Sequence, residues 1–195
     1  MIFPVSRLVV DPERFEDDAQ EPMASKGMGV IYERCSNQTP LRRGLAVGER
    51  QALIEDYYRP HHRVLSELTR KIIAGHGKCF ILDGHSFPLA PLPYEKAQPL
   101  ARPEICIGTD AYHTPAWLRD AAVHLFKEAG FTTAVNYPFA GAMVPQGFYQ
   151  ADRRVLALMI EVRRDLYMDE RSFEKLAVFD TVRRRIRNAI SEIID

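Results

Sequence analysis

Three stretches of this chain hold side chains whose types and spacing could do chemistry. In Ile81-Leu82-Asp83-Gly84-His85-Ser86-Phe87-Pro88 an apolar run delivers Asp-x-His. The imidazole could bind a metal, with the carboxylate two residues earlier orienting it. A histidine hydrogen-bonded at a strand end is the other reading. In Leu158-Met159-Ile160-Glu161-Val162-Arg163-Arg164 a glutamate closes a second apolar run. A carboxylate so placed could serve as general base toward an activated water, or form an ordinary ion pair between Glu161 and Arg164. The third stretch, Ser6-Arg7-Leu8-Val9-Val10-Asp11-Pro12-Glu13-Arg14, carries two arginines whose planar forks could hold a carboxylate in bidentate fashion. The competing reading is surface pairing of Arg7 and Arg14 with Asp11 and Glu13.

The remaining histidines are less telling. His61 and His62 follow Pro60 at a helix break, and His113 sits in a loop that opens a helix; each has a structural reading. His76 and His124 belong to a helix end and a helix surface and receive no role.

These residues need elements to position them. The β-branched run at 6–10 stops at Asp11-Pro12 and predicts a strand entering a turn. Residues 15–48 lose periodicity and predict a long loop region around one short strand at 29–32. Apolar spacing over 48–74, interrupted by Pro60, predicts two helices or one kinked helix. Strands are predicted at 78–83, 104–108, 132–136 and 155–161, with His85 just beyond the first of these. Helices are predicted at 115–129, closed by Gly130, and at 172–194. Alternating strands and helices imply a three-layer α/β domain with a mostly parallel mixed sheet.

Composition narrows the function classes. At 195 residues, 46% of them hydrophobic, the chain can bury one substantial core, so a single domain over 1–195 is the expectation. Lys plus Arg number 26 and Asp plus Glu number 26, so no global field favours nucleic acid or an anionic membrane. Apolar runs fall far short of the roughly 20 residues that cross a bilayer. With no visible export signal, a cytoplasmic enzyme is expected. Cys35, Cys79 and Cys106 have neither disulfide nor thiolate-zinc spacing and read as reduced.

Taken in order, the Ser-Arg-Leu-Val-Val-Asp run with Arg14, Pro60-His61-His62, Asp83-Gly84-His85-Ser86-Phe87-Pro88, Asn136-Tyr137-Pro138-Phe139-Ala140-Gly141 and Ile160 to Glu170 resemble the motif series of N-formylglutamate amidohydrolases. The resemblance spans nearly the whole chain. It implies a fold and mechanism like those of zinc carboxypeptidases, in which zinc-activated water attacks an amide and a glutamate acts as base. Carried over, His85 is the metal ligand and Glu161 the base. Arg7 steadies the oxyanion, and Arg14, Asn136, Arg164 and His113 line the substrate pocket. The substrate implied is a small N-acylated acidic amino acid such as N-formylglutamate, which links the family to histidine degradation. Glu13 and Arg163 stand where relatives commonly carry Asn. The family's earlier metal ligands lie on a strand and helix upstream of the Ser-Arg run, and only Met1 to Val5 precede Ser6 here. The expectation is therefore a chain lacking that segment. It either hydrolyses with zinc or, as the alternative, is a metal-poor relative that binds a small carboxylate. A homo-oligomer could cover the sheet edge left open.

Overall fold

A computed structural model describes residues 1–95 and 101–194. The chain groups into two compact units: one formed mainly by Met1–Gly75, the other by His76–Pro91 and most of the chain beyond residue 96. In the first unit most of the chain before residue 47 is irregular. Residues 6–10 form a turn and not the expected strand, with Val9 N–H donating to Ser6 O at 2.8 Å. The turn is what lets Arg7 reach back to Asp11 four residues on, which an extended segment could not do. The strand expected at 29–32 is also absent. A tight reversal stands there, bridged only between Met28 and Tyr32, after a short 3₁₀ turn at Ala24–Lys26. Val10, Val30, Ile31, Ile54 and Tyr58 form this unit's core.

The next stretch is continuously helical: α1 (Val47–Leu53), a π turn (Ile54–Tyr58) and α2 (Arg59–His76). Pro60 has no N–H to give the carbonyl one turn back, and its ring would crowd that carbonyl. The helix widens just before it, where Arg59 N–H donates to Ile54 O, five residues away. Pro60 thus deforms one helix and does not divide it.

The second unit is mixed α/β, a sheet with helices packed against it. Its strands are β1 (Cys79–Phe87), β2 (Ile105–Gly108), β3 (Thr133–Val135) and β4 (Val155–Arg163), in the spatial order β1-β4-β2-β3. Pairings β1–β4 and β2–β3 are parallel and β2–β4 is antiparallel, so the sheet is mostly parallel as expected. α3 (Ala116–Glu128) links β2 to β3, and α4 (Phe179–Ile194) packs beside it. Leu118, Ala122 and Phe126 of α3 and Val182, Ala189 and Ile193 of α4 meet Ile105, Ile107, Leu158 and Ile160 of the sheet. α3 ends at Gly130, whose φ of 80° suits glycine.

Two boundaries differ from expectation in ways that matter. α4 begins at Phe179, because residues 172–178 turn through Phe173, a phenylalanine at φ 61° that stays largely exposed. β1 runs on through Gly84-His85-Ser86 to Phe87, paired along its length with β4. An edge strand can carry these polar residues, since its outer side is not enclosed by a second strand. Asp83 and His85 therefore lie on the strand itself, on one face. Among the described residues no helix is long and apolar enough to cross a membrane.

Candidate active site

Because side chains alternate, the sheet's two faces have different characters. Leu82, Leu158, Ile160, Ile105 and Ile107 turn toward the helices. The opposite face presents Asp83, His85 and Phe87 from β1, Met159, Glu161 and Arg163 from β4, and Cys106 from β2. Registers set the rows: His85 is opposite Glu161, and Glu161 is opposite Cys106. A histidine, a glutamate and a cysteine thus stand side by side across three strands. His85 Nε2 is 3.0 Å from Asp83 Oδ1, both side chains being less than one-fifth exposed. The Asp-x-His pair is therefore real in space. Glu161 is 8% exposed, which excludes a solvated surface ion pair. Its expected surface partner, Arg164, instead lies 3.4 Å from Glu170.

The cysteine in this row is no nucleophile. Cys106 Sγ lies 3.2 Å from Phe139 O, and burial, ahead of any neighbouring charge, pushes the thiol up to about 11. The thiolate form that would attack is disfavoured. Cys35, Cys79 and Cys106 are all free thiols.

Two residues expected to line a pocket are engaged in shaping loops. Asn136, at φ 54°, accepts from Thr109 N–H and donates to Thr109 Oγ1, each at 2.8 Å, and so ties the end of β3 to the end of β2. His113 is fully buried; its Nδ1 meets Val155 O at 2.8 Å and its Nε2 accepts from Gln150 N–H at 2.9 Å. Those partners fix the proton on Nδ1 and leave no ring nitrogen for a substrate or metal. His113 is a structural histidine.

In the first unit Arg7 and Arg14 converge on a single carboxylate. Asp11 is fully buried; its Oδ2 accepts from Arg7 Nη2 at 2.7 Å and from Tyr32 Oη at 2.7 Å, and lies 3.4 Å from Arg14 Nε. Its Oδ1 accepts from Glu13 N–H at 3.1 Å. Burial and then the charge of Asp11 raise the Tyr32 hydroxyl to about 12. The surface-pairing reading fails on the burial of Asp11, although Arg7 and Arg14 are indeed paired. His62 Nε2 donates to Pro12 O at 2.8 Å, and burial lowers its pKa.

Comparisons with known proteins bear on the family and the fold. The model of the N-formylglutamate amidohydrolase family matches residues 1–168. The chain belongs to that family. Among solved structures it is similar to an N-formylglutamate amidohydrolase from Ralstonia eutropha JMP134, with a TM-score of 0.80 and 29% identity over 94% of this chain and 71% of that one. A gene product of Agrobacterium tumefaciens, 24% identical, shares the fold at a TM-score of 0.64 over 97% of this chain and 69% of its own. No curated protein matches the chain. Family membership and the Ralstonia neighbour make an amidohydrolase the coarse functional assignment.

Sequence reasoning overlooked Arg102, which is 5% exposed and lies over the rings of Phe87 and Phe139, 4.9 and 5.7 Å from their centroids. One signal was available: counting back by twos from Cys106 reaches residue 102 on the face that carries Glu161.

Proposed function

We propose that the chain hydrolyses the formyl, or a related acyl, amide of an N-acylated acidic amino acid, with Glu161 as general base. The supporting observation is the buried Glu161 standing opposite His85 on neighbouring parallel strands, with Asp83 beside that histidine. Glu161 takes a proton from the attacking water and returns it to the departing amine, so that N-formylglutamate yields formate and glutamate. His85 and Asp83 offer one nitrogen and one oxygen donor, types that zinc accepts, and would be the residues of this unit that hold it. When bound, zinc supplies Lewis-acid polarisation and acidifies water. Arg7 and Arg14 are proposed contacts for the oxyanion and a substrate carboxylate on the likeness of their motif, with Asp11 holding both in place.

The test is turnover of N-formylglutamate with zinc supplied, comparing wild type with Glu161→Gln. The variant keeps the size and fold but loses the base, so kcat should fall about 100-fold or more. Unchanged turnover in Glu161→Gln would remove Glu161 from the chemistry. Tight binding of N-formylglutamate by wild type without hydrolysis would favour a carboxylate-binding relative instead.

A further inference from the structure

We propose that Arg102 is the positioning residue of Glu161: its guanidinium, seated in an aromatic cradle, fixes the carboxylate on the sheet face that bears His85. Three sets of contacts bring the pair together. First, β2 and β4 run antiparallel with Cys106 opposite Glu161, and backbone pairing continues past the strand, Arg163 N–H donating to Glu104 O at 2.9 Å. Residue 102 thus lies beyond the C-terminal end of β4. Second, the side chain turns back over the sheet, since its guanidinium carbon is 4.9 Å from the centroid of Phe87, and Phe87 follows His85 by two on the same face. His85 pairs with Glu161 and Phe87 with Arg163, so the ring under the cation is the diagonal neighbour of Glu161. Third, Cys106 Sγ feels both charges: after burial and its backbone contacts, Glu161 raises the thiol and Arg102 lowers it.

The cradle is built from two rings in contact. Phe87 and Phe139 meet edge to face at 5.7 Å, and the cation lies over both rings. The backbone at residue 102 is pinned as well, because Arg163 Nη1 donates to Arg102 O at 2.6 Å while Asp165 holds Arg163 through Nε at 2.7 Å. Arg163 therefore has a task here. A guanidinium in a buried setting interacts strongly with a nearby carboxylate, and its planar fork constrains direction as well as distance. Among the described residues, Asp83, His85, Cys106 and Arg163 share this sheet face with Glu161. Arg163 is committed to Asp165, whereas the Arg102 guanidinium is turned over this face onto Phe87 and Phe139.

The catalytic consequence rests on Glu161 being the base, whereas the contact itself does not, and the experiment separates the two. Wild type, Arg102→Met and Arg102→Lys are compared as full chains, with melting curves to confirm folding. The δ-carboxyl ¹³C resonance of Glu161, identified by its loss in Glu161→Gln, is recorded at one neutral pH. We expect it to move by more than its linewidth in Arg102→Met and to return toward the wild-type position in Arg102→Lys. In zinc-supplemented hydrolysis of N-formylglutamate, Arg102→Met should lower kcat about 10-fold or more with KM changed less than about 3-fold, since orientation of the base matters only in the transition state. Arg102→Lys should recover part of the loss. A Glu161 resonance unmoved in Arg102→Met overturns the proposal. If Arg102→Met does not fold, Arg102→Gln, which also removes the charge, takes its place, and an unmoved resonance there does the same. A moved resonance together with full activity of Glu161→Gln would keep the contact and sink the base assignment.

Discussion

At the scale of single residues, Asp11 carries more of the first unit than its position in a loop suggests. It is a fully buried carboxylate answered by Arg7, Tyr32, Arg14 and the Glu13 N–H. Breaking such a group costs far more than breaking a surface pair, because its partners are left unanswered. Asp11→Ala should therefore cost about 3–5 kcal/mol in urea denaturation, while removing the half-exposed Arg7 should cost about 1 kcal/mol or less. Equal losses would show that Asp11 behaves as a surface charge. Alkaline pH offers a second check. Folding raises Tyr32 from 10.0 to about 12 and Cys106 from 9.0 to about 11, so both favour the protonated native state. Their stabilisation is whole below the unfolded values and is lost as pH rises through the folded ones. Stability should decline from about pH 9 toward 12, and Tyr32→Phe should flatten the upper part of that decline in urea melts.

At the scale of elements, the end of β2 is where close approach limits the sequence. A Cβ added at Gly108 would lie 2.3 Å from Met159 Cε and 2.5 Å from Gly141 O. The methionine tip can swing away, but a backbone oxygen cannot without moving its loop. Gly108→Ala should destabilise by about 1–3 kcal/mol through overpacking, and adding Met159→Ala should fail to restore the loss. Full rescue by Met159→Ala would assign the clash to the side chain alone. The same loop carries Phe139, whose carbonyl accepts from Cys106 Sγ, so Gly108→Ala should also disturb the Arg102 cradle.

At the scale of the molecule, each unit has a core of its own, one around Val10, Val30 and Tyr58 and one around the sheet and its two helices. β4 is flanked on both sides, by β1 and β2, and is the spine of the second unit. Native-state hydrogen exchange should find β4 amides among the slowest and those of the three-residue edge strand β3 faster. Phe126, with no exposed surface, packs its ring against Phe131 at 6.2 Å. Phe126→Ala should cost about 3–5 kcal/mol and speed exchange in β2 and β4 together. Loss of protection in α3 alone would mean that helix and sheet do not share one core.

The sequence by itself determined the strands and most helices of the second unit, because long apolar runs and 3.6-residue spacing are local signals that burial on one face enforces. It also determined the family, through five short motifs in order. The tertiary structure alone decided where those motifs' side chains go. Residues 6–10 look like a strand, yet with no partner strand they turn so that Arg7 can meet Asp11. Gly-His-Ser looks like the loop after a strand, yet pairing with β4 extends β1 through it. His113 has a composition suited to a site, and only the positions of Val155 and Gln150, 42 and 37 residues away, show that both ring nitrogens are taken. The register that stands His85 beside Glu161, and the fold-back that brings Arg102 over Phe87, arise between strands distant in sequence, where no local period carries the information.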